Sequence, residues 1–429
     1  MLLVLLVVCV LLWWWYQRRR SYLEPPEYPG ALPVLGHLHL VLIANSAMVS
    51  DPDDALTVAN TCFKKNFMYK FAKPWVGNGL ITASVPIWKQ HRKVLNPTFS
   101  LLVLNSYMEV FNRQARRLVG RLSNHAGQGP FDHLLETRQI ALETICMTAM
   151  GLDLTDDALI DGKYTRAVNE VMNIFLRRYL APWLYFDFIY QRSDLKKKQD
   201  QIVEILHNVS DGLLELSEEH GMFTEEEMRE HVDTIIVSGY ETIASALFFT
   251  IILIGSYPRV QECLLKELNS VLGDNERDVA SQDLPRLVYL EAVIKESMRV
   301  YTVVPIVARY IDRDVKLKKC TLLAGNTCYL SLYGIHRHSM WGVEAEEFRP
   351  ERWLNTATLP DNANAFLAFS LGKRNCIGKT YAMMSLKTTL AHFLQRYKVT
   401  ADHTKMALKM DILLKSVTGH EIYIEKRSR

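Results

Sequence analysis

The sequence predicts a mainly α fold with a small β region, an α+β chain, led by a short membrane-seeking segment. Three observations carry this: apolar residues recur at helical spacing over long stretches, β-branched runs are few and short, and one uninterrupted apolar run opens the chain. With 429 residues and 49% hydrophobic composition, the chain can bury a large core. Its 50 Lys plus Arg against 47 Asp plus Glu exclude a whole-molecule nucleic-acid binder. Seven cysteines, at 9, 62, 146, 263, 320, 328 and 376, form an odd, scattered set with no C-x-x-C. That argues against a disulfide framework or zinc site and points to a reducing compartment.

Residues Met1 to Tyr16 are apolar or aromatic, and Arg18-Arg19-Arg20 follow. At a rise of about 1.5 Å per residue the run spans about 24 Å, short of the ~30 Å hydrocarbon core. Trp13 to Tyr16 suit the interfacial belt, and the arginines can snorkel. With no basic n-region and no small-residue cleavage site, residues 1–20 read as an uncleaved anchor rather than a signal peptide, the arginines keeping the rest cytoplasmic. Pro25, Pro26, Pro29 and Pro33 forbid a helix or central strand, so residues 21–36 read as a semi-rigid hinge. No second linker or repeat follows, and residues 37–429 read as one domain. Helical patterns fit Asp53–Asn66, Ile87–Leu95, Leu104–Asn124, Asp132–Gly151, Gly162–Leu180, Arg192–Gly212, Thr224–Tyr257, Val260–Leu272, Tyr289–Tyr301 and Ile377–Tyr397. Val315–Leu317, Thr327–Leu332 and Glu421–Ile424 suggest a small sheet to one side.

The run Phe369-Ser370-Leu371-Gly372-Lys373-Arg374-Asn375-Cys376-Ile377-Gly378 wraps one cysteine in small, aromatic and cationic residues just before the last long helix. Two glycines let the backbone pass close to a flat, bulky group, while Arg374 and the helix N-terminus near Gly378 are expected to hold the sulfur ionised. The spacing F-x-x-G-x-R-x-C-x-G resembles the haem-binding loop of the cytochrome P450 family. The resemblance implies that family's fold, haem b (iron protoporphyrin IX) as cofactor, and insertion of one oxygen atom from O2. It makes Cys376 the axial iron ligand, places Phe369, Gly372 and Gly378 around the haem, and pairs Arg374 with a propionate.

Further motifs follow the family's order. Glu296 and Arg299 share a helical face, and Pro350-Glu351-Arg352-Trp353 resembles the family's P-E-R-F segment, so Glu296, Arg299 and Arg352 are expected to form its structural Glu-Arg-Arg network. Val232 to Ala244 reads as a buried helix that nevertheless holds Gly239, Glu241 and Thr242. It resembles the family's oxygen-binding signature, which implies that Gly239 leaves room for O2 and that Glu241 and Thr242 relay protons. The alternative is a core helix with Thr242 bonded back to its own backbone. Ser238 stands where Ala or Gly is usual and where the ω-hydroxylase branch carries a glutamate that esterifies the haem, so covalent attachment is not expected. Phe71 to Ile81 and Trp88-Lys89-Gln90-His91-Arg92 resemble the fatty-acid ω-hydroxylase branch and its insect relatives. Trp88 and Arg92, one turn apart, and Arg309 are then expected on the propionates.

No G-x-G-x-x-G or flavin-binding region occurs in the chain, so electrons must come from another protein. The resemblance implies NADPH-cytochrome P450 reductase, with Lys89, Lys93, Lys373, Lys379 and Lys387 as a candidate docking face. It also implies an apolar small-molecule substrate (fatty acid, hormone or xenobiotic), O2, and a place on the endoplasmic reticulum membrane with the catalytic domain cytoplasmic. The chain reads as shorter than its relatives near Leu40–Val49 and Asn208–Met222, which motivates a second reading: a haem-binding or apo remnant without turnover. Haem-thiolate isomerases, a third class, generally lack the Thr242 hydroxyl.

Overall fold

The computed structural model describes residues 46–151, 162–215, 223–273 and 277–427. The expected anchor (1–20) and hinge (21–36), and Cys9, lie outside them. Among the described residues the longer helices are α1 (Pro52–Thr61), α2 (Val85–Leu95), α3 (Met108–Leu122), α4 (Leu134–Met150), α5 (Gly162–Leu180), α6 (Asp194–Glu215), α7 (Glu225–Ser256), α8 (Pro258–Leu272), α9 (Val288–Val300) and α10 (Lys379–Arg396). Their starts follow local chemistry. Asp51 caps α1 by accepting from the amides of Asp53 and Asp54, and Pro52 takes the first position. Thr224 and Glu227 close a capping box at the head of α7, whose first turn carries three glutamates.

Helix α7 is the axle of the fold. It is the only described helix long and apolar enough to cross a membrane, yet 78% of its apolar window is buried inside the protein, so it is a core helix. It packs against α4, α9, α6 and α10, while α3 lies along α10 and α5 along α6. The expected helix Leu104–Asn124 is instead two, Leu101–Ser106 and Met108–Leu122, broken at Tyr107.

The strands are β1 (Ser46–Val49), β2 (Phe131–Asp132), β3 (Ile306–Tyr310), β4 (Val315–Lys316), β5 (Thr321–Leu322), β6 (Thr327–Ser331), β7 (Tyr397–Thr400), β8 (Ala407–Met410), β9 (Leu414–Thr418) and β10 (Glu421–Lys426). They form two three-stranded sheets, β1-β6-β3 and β2-β10-β7, and two hairpins. In the first sheet β6 runs parallel to β1 and antiparallel to β3, with Arg309 opposite Cys328, and an isolated bridge ties Lys65 to Arg309. Strand β1 occupies part of the stretch where a shortfall was expected; of the second such stretch, α6 runs on to Glu215 and residues 216–222 lie outside the description.

Two apolar cores result. The larger surrounds α7, and a smaller one under the first sheet joins Val58, Leu330 and Leu371. Leu371 belongs to the small core and Phe369 packs against the large one, so the cysteine loop is pinned where the two meet.

Candidate active site: a cysteine loop facing unpaired buried cations

The loop from Leu367 to Gly378 is closed by its own backbone. The Cys376 amide donates to the Phe369 carbonyl at 2.9 Å, and the Asn375 amide to that of Gly372 at 3.1 Å. Gly372 has φ +67°, and a Cβ there would stand 3.0 Å from Ala59 Cβ and Asn60 Oδ1, so only glycine lets the loop lie on α1. Gly378 has no such crowding; a Cβ would lie 4.0 Å from the Cys376 sulfur. Cys376 is exposed, but the protein around it pushes its thiol up by desolvation. The Gly378 amide, Arg92 and Lys379 pull the other way. The expectation that Arg374 holds the sulfur ionised is therefore corrected, since desolvation outweighs the local cations and Arg374 is not among them.

Arg374 faces a different group of residues. Its guanidinium lies 4.4 Å from the centroid of the buried Trp88 ring and donates once, through Nη2 to the Ala83 carbonyl. Its buried Nε and Nη1 have no partner. Arg309, on β3 and 1% exposed, donates Nη1 to its neighbour's carbonyl and leaves Nε without one. Burial and the nearby Arg309 push Arg374 down to about 10; burial likewise lowers Arg309. Lys65 completes the set, its ammonium 4.4 Å from the Tyr69 ring and pushed well below the usual lysine range by burial, then by Arg309 and Arg374. Three cations thus crowd together, and no carboxylate contacts any of them among the described residues. Buried charge of one sign is costly unless a counter-charge enters. A haem, with two propionates, fits this requirement, and Lys65 is the member that motif reading missed.

Arg92 is placed differently from expectation. Its Nη1 and Nη2 bind the carbonyl and side chain of Asn375 at 2.8 and 3.1 Å, and Nε binds Asn96. It clamps the cysteine loop rather than pointing at the cation cluster, because the Asn375 carbonyl and side chain offer two acceptors within reach of its guanidinium. On this outer side Trp88, Lys89, Arg92, Lys93, Lys373 and Asn375 help line a depression of about 530 Å³. Lys387 does not belong to that face: it is buried, 2.6 Å from Glu291, and donates to the Leu284 carbonyl.

The network residues converge. Arg299 makes two bonds to the Glu296 carboxylate at 2.8 and 3.0 Å, and Arg352 Nε adds a third at 2.8 Å. The Arg349 amide and Trp353 Nε1 complete the coordination of Glu296. Arg299 also binds the carbonyls of His336, Ala345 and Glu347, tying α9 to the segment that leads into the cysteine loop.

On α7 the expected residues separate. Ser238 is exposed and Thr242 partly so, on a stripe with Ile235. Thr242 Oγ1 donates to the Ser238 carbonyl at 2.6 Å and Ser238 Oγ to that of Thr234, the back-bonded arrangement weighed above. Glu241 is buried on another side, 3.3 Å from Arg138 of α4, with Oε1 unpartnered. No hydrogen bond joins Glu241 to Thr242 in this structure, and adjacent helical residues point about 100° apart. Gly239 also has a different reason: a Cβ there would meet Ile145 Cγ1 at 2.8 Å, so the glycine lets α4 approach α7.

A family profile described as cytochrome P450 matches residues 35–220 and 207–422. The chain belongs to the cytochrome P450 family. It is similar to mouse Cytochrome P450 4V2, at 32% identity over 85% of this chain and 76% of that protein. Human Cytochrome P450 4V2 is 30% identical over 92% and 82%, and Drosophila melanogaster Cytochrome P450 4d8 is 30% identical over 91% and 94%. Members of this family are haem-thiolate monooxygenases, so haem b is the cofactor, the cysteine thiolate binds its iron, and O2, a substrate and a redox partner take part. The α+β fold agrees, with long helices dominating and the sheets small. The profile's two segments overlap at 207–220, across most of the second interval where a shortfall was expected.

Proposed function

We propose that this cytochrome P450 inserts one oxygen atom into an apolar small molecule, a fatty acid, hormone or foreign compound, using electrons from NADPH delivered by a separate membrane-bound flavoprotein reductase. The observation that carries the reading is the Cys376 loop, whose Arg374 stands with Arg309, both with unpartnered buried nitrogens, and with Lys65 close to the two. Bound there, haem b supplies oxygen activation, thiolate ligation favouring O–O cleavage. The chain's own residues do the rest. Cys376 Sγ would bind the iron, and Lys65, Arg309 and Arg374 would neutralise the propionates, while Arg92 holds the loop through Asn375. Thr242 Oγ1, on the accessible stripe of α7, hands on a proton after turning from the Ser238 carbonyl, and Glu241 joins only by releasing Arg138. The Glu296-Arg299-Arg352 network keeps the approach to the loop rigid.

Lys89, Lys93 and Lys373 border the depression beside the loop and Lys379 lies exposed next to it, which suits an acidic reductase surface. Residues 1–20 as anchor, 21–36 as hinge and 37–429 as catalytic domain place the enzyme on the cytoplasmic face of the endoplasmic reticulum. Supporting a membrane surface, Trp183, Phe186 and Phe188 after α5 are 60%, 64% and 69% exposed. The test combines the protein with reductase and NADPH over a panel of apolar compounds, with products read by mass spectrometry. A product gaining one oxygen only when NADPH is present is expected. A protein with a thiolate-type reduced-CO spectrum but no NADPH-dependent product would favour the remnant reading, which the split family match motivates.

A further inference from the structure

Two imidazoles meet where α2 crosses the first turns of α7. His231 Nε2 lies 2.9 Å from His91 Nδ1, and His91 Nε2 lies 3.3 Å from Glu227 Oε1. Both histidines are buried, and Phe223 packs edge-on against His91 and tilted against His231. Glu227 is also the acid of the capping box, its Oε2 accepting from the Thr224 amide at 3.0 Å. One carboxylate therefore serves both the start of α7 and an imidazole on another helix.

The proton positions follow from the partners. An ionised carboxylate only accepts, so a neutral His91 facing Glu227 carries its proton on Nε2 and presents a bare Nδ1. In that tautomer His231 donates from Nε2, which leaves its own buried Nδ1 bare and without a partner. Burial, with His91 beside it, lowers His231 to about 4 against the pull of Glu227, so the imidazole stays neutral at neutral pH. The other end of the chain of contacts is the cysteine loop. His91 sits between Trp88 and Arg92 on α2, and Arg92 grips the carbonyl and side chain of Asn375, next to Cys376.

We propose that Glu227, His91 and His231 are positioning residues: their two hydrogen bonds set how α2 lies on α7 and, through Arg92 and Asn375, where the Cys376 sulfur stands. This rests on the haem-thiolate reading. A pair that merely filled space would change stability and leave the sulfur's ligation alone.

The test uses the full-length haem-loaded protein as wild type, H231L, H91L, H91L/H231L, H231Q and E227Q. The readouts are the share of the thiolate-type Soret band in the reduced-CO difference spectrum and the midpoint potential of the iron, with circular dichroism confirming the fold. In H231L and H91L the non-thiolate share is expected to rise roughly threefold or more, and the double variant to be no worse than either single one, because both remove the same bond. H231Q, whose amide can donate to His91 Nδ1, restores most of the wild-type spectrum. If the leucine variants do not fold, E227Q decides: it keeps a capping side chain but frees the His91 tautomer, and must raise the non-thiolate share. Wild-type spectra and potentials in folded leucine variants, additive effects in the double variant, or an unchanged E227Q each overturn the proposal. A wild-type protein without a thiolate band would instead overturn the underlying haem-thiolate reading.

Discussion

Lys65 shows what a residue's neighbours can add to its chemistry. In Lys64-Lys65-Asn66 nothing distinguishes it from a surface lysine, and only the bridge to Arg309, far along the chain, brings it among buried cations. Cys376, Glu296, Arg299 and Arg352 were legible because their chemistry is written in short local patterns. Replacing Lys65 by Met removes one propionate partner; a charge-assisted bond contributes about 1.5–3 kcal/mol, so haem loss to a scavenging protein should quicken by about tenfold or more. The apoprotein should melt no lower, since an uncompensated cation has been removed, and an unchanged haem-loss rate would exclude Lys65 from the site. Arg352→Leu strands part of the charge on Glu296, and denaturant unfolding should show a loss approaching 3–5 kcal/mol, reduced by the donors that remain.

At the scale of elements, amphipathic spacing located most long helices within a few residues, but the reason for a residue within a helix was harder to read. Gly239 looked like space for oxygen because a motif was the only context; the structure sets Ile145 of α4 against it. Gly239→Val should push α4 and α7 apart at a cost of about 1–3 kcal/mol, and trimming the facing side chain with Ile145→Ala should recover part of it in unfolding experiments. No recovery would mean that the glycine serves something other than helix contact. Strands β1 and β3 escaped the sequence reading. In Ile306 to Tyr310 the buried Arg309 breaks the apolar alternation, and the partner of β1 is remote in sequence. Lys387, expected on the surface, is paired inside because Glu291 on α9 faces it across the helix contact.

Across the whole molecule the cysteine loop hangs between two cores, and buried neutral histidines hold several of the joints. His336 is lowered to about 3 and His133 to about 4, burial being the main cause, as it is for His231. His336 Nε2 accepts from the Leu367 amide at the root of the loop, a bond its protonation would break. Because these folded values lie below the ordinary 6.5, the stability they represent is complete above pH 6.5 and drains as pH falls toward 4, by about 3 kcal/mol for each group. Asp233 acts with the opposite sign: burial raises it to about 7, so its contribution is present in acid and lost as pH rises through 7. With three histidines against one acid, the melting temperature should fall between pH 7 and 4.5, and a flat or rising profile would contradict the assignment.

Among the described residues, Cys376 is the exposed thiol that stands in the loop carrying Arg374. Cys146 and Cys328 are buried and pushed up to about 12, whereas Cys376 is exposed, with Arg92 and Lys379 acting on its sulfur and Arg374 in the same loop. The most direct test is the reduced-CO difference spectrum of the purified wild type beside Cys376→Ala. The wild type should give a thiolate-type Soret band and the variant none, in a protein still folded by circular dichroism. A histidine-type band in the wild type, or a thiolate band surviving in the variant, would contradict the account.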